Sequence, residues 1–102
     1  MALKQLVVLT RGQGKTSIAQ AWADRMPFAH YFPSDHRYRS PRGLRGTFII
    51  DDLTYQYAEV IQFVCTYLNI YNFYITCDFT QLWKLPSDLK QVFMEDYPEF
   101  FI

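Results

Sequence analysis

A short run near the start of the chain, Gly12-Gln13-Gly14-Lys15-Thr16-Ser17, combines the residue types that bind phosphate. Glycines let backbone N–H groups converge on phosphate oxygens, and the N-terminus of a following helix adds partial positive charge. In such a loop Lys15 would reach the terminal phosphates and the Thr16 hydroxyl would be a Mg²⁺ ligand. The run therefore predicts a nucleotide site, whose binding residues are Gly12, Gln13, Gly14, Lys15, Thr16 and Ser17.

Two carboxylates, Asp51 and Asp52, directly follow the apolar run Phe48-Ile49-Ile50. At the carboxyl end of a parallel strand, one carboxylate can hold Mg²⁺ and its neighbour can polarise an attacking water. We predict the metal role for Asp51, together with Thr16, and the catalytic role for Asp52. The alternative is that Asp52 caps the next helix and that Thr54 shares this task.

A third apolar run, Phe73 to Cys77, ends at Asp78. If this strand lies between the two earlier ones, Asp78 or Thr76 would contact the terminal phosphate or its water. We therefore name Asp78 as the second catalytic candidate. The alternative is an ordinary strand end at which Asp78 starts a turn.

Basic residues are concentrated in the first half of the chain, although 10 basic and 10 acidic residues balance overall. Residues 1–50 hold eight of the bases and two of the acids. A basic loop over residues 33–46 contains four arginines beside aromatic residues, which suits contact with nucleic acid or another partner: Arg37, Arg39, Arg42 and Arg45. The alternative is that the two oppositely charged halves attract each other across one fold.

The elements that would position these residues alternate between strands and helices. Apolar runs predict strands at residues 5–10, 28–32, 47–51 and 71–77. Helical periodicity predicts helices at residues 15–26 and 54–68, and Pro86 opens a short third helix through Phe93. Residues 94–102 form an acidic, aromatic tail that we expect to dock on the fold.

This alternation predicts an α/β fold of three layers, with a mostly parallel sheet of about four strands and βαβ crossovers. The 102 residues suffice for a single domain. We divide it into a phosphate-loop half at residues 5–52, a second βα half at residues 53–94 and the tail at residues 95–102. No apolar stretch is long and unbroken enough to predict a membrane span, so we expect no membrane partner.

The loop Gly12 to Ala19, the strand Phe48 to Asp52 and the segment Ile75 to Asp78 together resemble a compact P-loop NTPase. The nearest patterns are the superfamily-3 helicases of small viral replication proteins and the AAA+ domains of replication initiators and loaders. In those families the three segments are the Walker A loop, the Walker B strand and a polar sensor strand. The resemblance implies ATP and Mg²⁺ as cofactors, and an ATPase linked to viral DNA replication or packaging.

Two departures from that family pattern favour a different interpretation. Leu9 stands where the full phosphate-loop pattern has its first glycine, and no arginine follows Asp78. The alternative is a non-enzymatic α/β module that binds a protein, a peptide or nucleic acid. In either case we expect a cytoplasmic protein, located in the host cytoplasm if the chain is viral. The two cysteines have neither metal-site spacing nor a disulfide framework.

Overall fold

Strands and helices alternate along the chain in the computed structural model, which describes residues 3–9, 14–33 and 40–101. The strands and α-helices are, in chain order, β1 (Leu3–Leu9), α1 (Lys15–Arg25), β2 (His30–Phe32), β3 (Thr47–Ile50), α2 (Ala58–Tyr67), β4 (Asn72–Asp78) and α3 (Ser87–Asp96). A first 3₁₀ helix (Phe79–Lys84) joins β4 to α3, and a second (Pro98–Phe101) follows α3. Gly12, Gln13, Arg37 and Arg39, all predicted site residues, lie outside the described residues.

The described strands form one parallel sheet with the order β1-β4-β3-β2. As the sequence analysis expected for the strand that ends at Asp78, β4 lies between β1 and β3, the strand that precedes Asp51. Leu9 is level with Asp78, and Ile50 is level with both Phe32 and Ile75. We call the edge at which these strands end the carboxyl edge. The prediction of an α/β fold with a mostly parallel sheet is confirmed.

Helices cover both faces of this sheet. One face packs against α2 and α3 and contains most of the buried apolar residues, including Phe48, Ile50 and Phe73. The other face packs against α1, where Ala19 and Trp22 meet Ile49 of β3. Alternate residues of β3 therefore belong to different clusters, as expected for a strand that is buried on both sides.

Aromatic rings form the centre of the larger cluster. Phe48 is fully buried, and its ring centroid lies 4.8 Å from that of Phe63 and 5.5 Å from that of Phe73. Tyr71 and Phe32 also contact the Phe48 ring. Such ring pairs add roughly 0.5–1.5 kcal/mol each beyond the burial of apolar area. The cluster joins three strands to α2 and fixes the position of β3.

The start of α2 differs from the prediction. The sequence places this start at Thr54, whereas the helix begins at Ala58 and has Tyr57 as its N-cap. The chain first continues beside β4, because the Leu53 N–H donates to the Thr76 carbonyl at 2.9 Å. The Tyr57 N–H then donates to the Thr54 carbonyl at 3.2 Å and closes a turn. The alternative role of Asp52 and Thr54 as helix caps is therefore wrong.

Two further segments show where local patterns succeed and fail. β2 begins at His30 rather than Phe28, because a turn in which the Ala29 N–H donates to the Met26 carbonyl precedes it. Docking of the tail is confirmed, since Phe101 packs against the core and its ring centroid lies 5.3 Å from that of Trp83.

Within the described ranges, no helix is long and apolar enough to cross a membrane.

Candidate functional site

A hydrogen bond joins the start of α1 to the end of β3. The Thr16 hydroxyl donates to Oδ2 of Asp51 at 2.8 Å, across 35 positions of sequence. Both residues lie at the carboxyl edge, because Asp51 follows the last residue of β3 and Thr16 is hydrogen-bonded to it. The structure therefore brings together the two residues that the sequence assigns to Mg²⁺.

Gly14 gives the chain its direction at the beginning of α1. Its φ of 92° lies in the left-handed region, which glycine enters without the strain that a side chain causes. Its carbonyl accepts the Ile18 N–H at 3.1 Å and so starts the helix. No side chain of the described residues caps this helix. The N-terminus of α1 lies at the carboxyl edge and carries partial positive charge there.

Asp51 is the most enclosed acidic residue of the site, with no exposed surface. Its Oδ2 accepts from Thr16, and its Oδ1 accepts from the Thr76 hydroxyl at 2.8 Å. A buried carboxylate persists in a fold only when hydrogen bonds or charges replace its hydration. Hydroxyl donors occupy both oxygens here, so the orientation of the carboxylate is fixed.

Asp52 has an unusual backbone conformation. It is the only described residue other than glycine with a positive φ, at 60°. Its N–H donates to the Thr76 hydroxyl oxygen at 2.8 Å, which holds the chain in this conformation. Residues in sparsely populated backbone regions persist when surrounding contacts determine them, and they are concentrated at functional sites.

Asp78 ends β4 and begins the first 3₁₀ helix. Its Oδ1 accepts from both the N–H and the hydroxyl of Thr80, each at 2.8 Å. This is the turn-starting role that the sequence analysis allowed as the alternative. The catalytic role of Asp78 stays a prediction.

The remaining predicted residues have separate positions. Lys15 is the first residue of α1, and Ser17 is exposed in its first turn. The side chain of Lys15 lies outside the described part of the structure. Arg42 is 88 % exposed and lies 3.5 Å from Glu59 of α2. The Arg45 carbonyl lies 2.8 Å from Nε2 of His30, at the opposite end of the sheet from Asp51.

Tyr31 is a neighbour of the site that the sequence analysis missed. Burial raises the pKa of its phenol, and the negative charge of Asp51 raises this pKa further. Tyr31 is level with Ile49, two residues before Asp51 on the same face of the sheet. Only the register of β2 against β3 reveals this proximity, and the register has no local signal in the sequence.

The oxygen atoms of Asp51 and Thr16 are ligands of the type that a phosphate-bound cation takes. The described residues contain no cluster of three or more His, Cys, Asp or Glu side chains that could hold a metal alone. Mg²⁺ is commonly held by one or two carboxylates together with substrate phosphates and water. Asp51 and Thr16 fit that mode of binding.

The chain matches no protein-family model, no curated protein and no solved structure. The arrangement of residues at the carboxyl edge is therefore the basis for assigning a function.

Proposed function

We propose that this chain binds a nucleoside triphosphate with Mg²⁺ at the carboxyl edge and hydrolyses it slowly. The observation that carries the proposal is the hydrogen bond from Thr16 to Asp51 at 2.8 Å. It joins a glycine-started helix N-terminus to a buried carboxylate. Phosphate and metal would meet between these two groups.

Each residue would have a separate role in phosphoryl transfer to water. The first N–H groups of α1 and the ammonium of Lys15 would hold the phosphate oxygens. Thr16 and Asp51 would hold Mg²⁺, which supplies charge stabilisation to the transferring phosphoryl group. The carboxylate of Asp52 would orient the attacking water.

We expect slow turnover because no arginine follows β3 in the sequence. An arginine that contacts the transferring group can accelerate such reactions by about 10³–10⁵-fold. The last arginine of the sequence is Arg45, and no arginine follows β3.

The resemblance to viral helicases and initiator ATPases suggests that this activity serves DNA replication or packaging.

Equilibrium binding of a fluorescent ATP analogue with Mg²⁺ tests the proposal. We expect saturable binding that weakens at least about tenfold in Lys15→Ala, because a charge-assisted contact to phosphate is lost. Lys90→Ala, on α3, is the matched control and should bind like the wild type. Absence of binding at millimolar nucleotide, or equal binding by the two variants, would remove the proposal.

A groove beside α2 favours a second candidate function, contact with single-stranded nucleic acid. The groove has a volume of about 560 Å³, and its lining includes Arg42, the acidic Glu59 that pairs with it, and the aromatic residues Phe63 and Tyr67. A neighbouring pocket adds Arg45 and Tyr71. Arginine beside aromatic rings suits phosphate contact and base stacking.

Anisotropy of a labelled oligonucleotide tests this second function. We expect salt-sensitive binding that weakens in the double variant Arg42→Ala/Arg45→Ala, because phosphate contacts release counterions. Arg25→Ala, which removes an exposed arginine from α1, serves as the control. Absence of binding at low salt, or an equal loss in the control, would exclude the groove.

A further inference from the structure

Thr76 connects the two aspartates of the carboxyl edge. It belongs to the central strand β4 and has no exposed surface. Its hydroxyl donates to Oδ1 of Asp51 and accepts the Asp52 N–H, both at 2.8 Å. Its carbonyl accepts the Leu53 N–H at 2.9 Å. One residue of β4 thus holds three consecutive residues that follow β3.

We propose that Thr76 is a positioning residue, which fixes the Asp51 carboxylate and the Asp52 backbone for binding of the Mg²⁺–nucleotide complex. This inference rests on the proposed function of the carboxyl edge.

The hydrogen bonds of Thr76 separate this role from contact with substrate. A hydroxyl has one donor, and Thr76 uses it on Asp51. The oxygen of the same hydroxyl accepts the Asp52 N–H, so the hydrogen bonds of this side chain are directed to the two aspartates. The sequence analysis named Thr76 as an alternative to Asp78 for phosphate contact; its observed hydrogen bonds go to Asp51 and Asp52.

The two donors to Asp51 differ in exposure, which gives them different roles. Thr16 is exposed, so its hydroxyl can turn from Oδ2 towards a metal ion. Thr76 is enclosed and keeps Oδ1 in place during such a change. The carboxylate would then present Oδ2 in a fixed direction. Partners that orient a metal-binding carboxylate in this way commonly change metal affinity about 10–100-fold when they are removed.

The test compares Thr76→Val, which keeps the side-chain shape without the hydroxyl, with Thr76→Ser, which keeps the hydroxyl. Nucleotide binding is measured as a function of Mg²⁺ concentration. We expect Thr76→Val to need an Mg²⁺ concentration at least about tenfold higher for the same nucleotide binding. Its affinity for nucleotide without Mg²⁺ should be unchanged. Thr76→Ser should restore the wild-type requirement. Thr80→Val removes another hydroxyl donor to a carboxylate, that of Asp78, and should leave the requirement unchanged.

A second readout needs no nucleotide. Hydrogen exchange of the Asp52 amide should accelerate in Thr76→Val, since its acceptor is lost. If the valine variant does not fold, Thr76→Cys retains a weak donor and should show a smaller increase in the Mg²⁺ requirement.

The outcomes separate this inference from the proposed function. Wild-type binding together with an unchanged Mg²⁺ requirement in Thr76→Val or Thr76→Cys would overturn the positioning role alone. An unchanged Asp52 exchange rate in the folded valine variant would overturn it too. Failure of the wild type to bind nucleotide would overturn the proposed function and this role together.

Discussion

Asp51 places a charged group where the strand pattern calls for an apolar one. It follows three buried apolar residues of β3 and is itself fully buried. Replacing a hydrated carboxylate by a buried one costs free energy, which hydrogen bonds from Thr16 and Thr76 offset. Such departures from local rules are expected at functional sites. The cost at Asp51 is therefore consistent with the proposed metal role.

The left-handed backbone of Asp52 leads to a stability prediction. We expect Asp52→Gly to be more stable than Asp52→Ala by about 1 kcal/mol, because alanine enters this region with strain and glycine does not. Both variants lose the carboxylate, so the comparison isolates the backbone. Urea denaturation gives the two free energies of unfolding.

Gln91, an exposed residue within α3, supplies the matched control for this comparison. In a helix the order of stability reverses, because alanine favours helix and glycine does not. The free energy of unfolding of Gln91→Ala should therefore be higher than that of Gln91→Gly by up to about 1 kcal/mol. An alanine variant at position 52 that is as stable as the glycine variant would contradict the left-handed conformation.

At the scale of elements, the charge of Asp88 on α3 acts on the Cys65 thiol of α2. Burial raises the pKa of the Cys65 thiol, and the negative charge of Asp88 raises this pKa further. The folded chain therefore holds the thiol proton more tightly than the unfolded chain. The contribution of Cys65 to stability is present below its ordinary value of 9.0 and is lost as the pH rises above it.

Alkylation of Cys65 measures this effect of Asp88 on the thiol. At pH 8 we expect slow labelling by iodoacetamide, because the thiolate is the reactive form. Asp88→Asn should accelerate labelling by a small factor, since it removes one of the two causes of the raised pKa. Asp96→Asn, at the other end of α3, is the control. Equal rates in the two variants would show that Asp88 does not act on the thiol.

The sequence predicts elements better than it predicts their junctions. The order of strands and helices follows from apolar runs and helical periodicity, and the meeting of Thr16 with Asp51 follows from the rule that parallel strands end at one edge. The path of residues 51–57 has no local signal. It depends on hydrogen bonds from Asp52 and Leu53 to Thr76, which lies in a different strand.

At the scale of the whole molecule, one aromatic cluster connects the elements, so its loss affects the entire fold. We expect Phe48→Ala to lower the free energy of unfolding by about 3–5 kcal/mol, a large part of the roughly 5–15 kcal/mol of a typical domain. Thermal or urea denaturation measures the loss. Phe28→Ala, at a residue that is 73 % exposed, should change stability by about 0.5 kcal/mol or less. Similar losses in both variants would contradict the described core.

Nucleotide binding at the carboxyl edge is tested most directly by residue-resolved NMR of the ¹⁵N-labelled protein titrated with ATP and Mg²⁺. We expect saturable shifts of the Gly14, Thr16 and Asp51 amides that become larger when Mg²⁺ is present, while the amide of Gln91 on α3 stays in place. Unchanged spectra at millimolar nucleotide, or shifts confined to the groove beside α2, would contradict a nucleotide site at this edge.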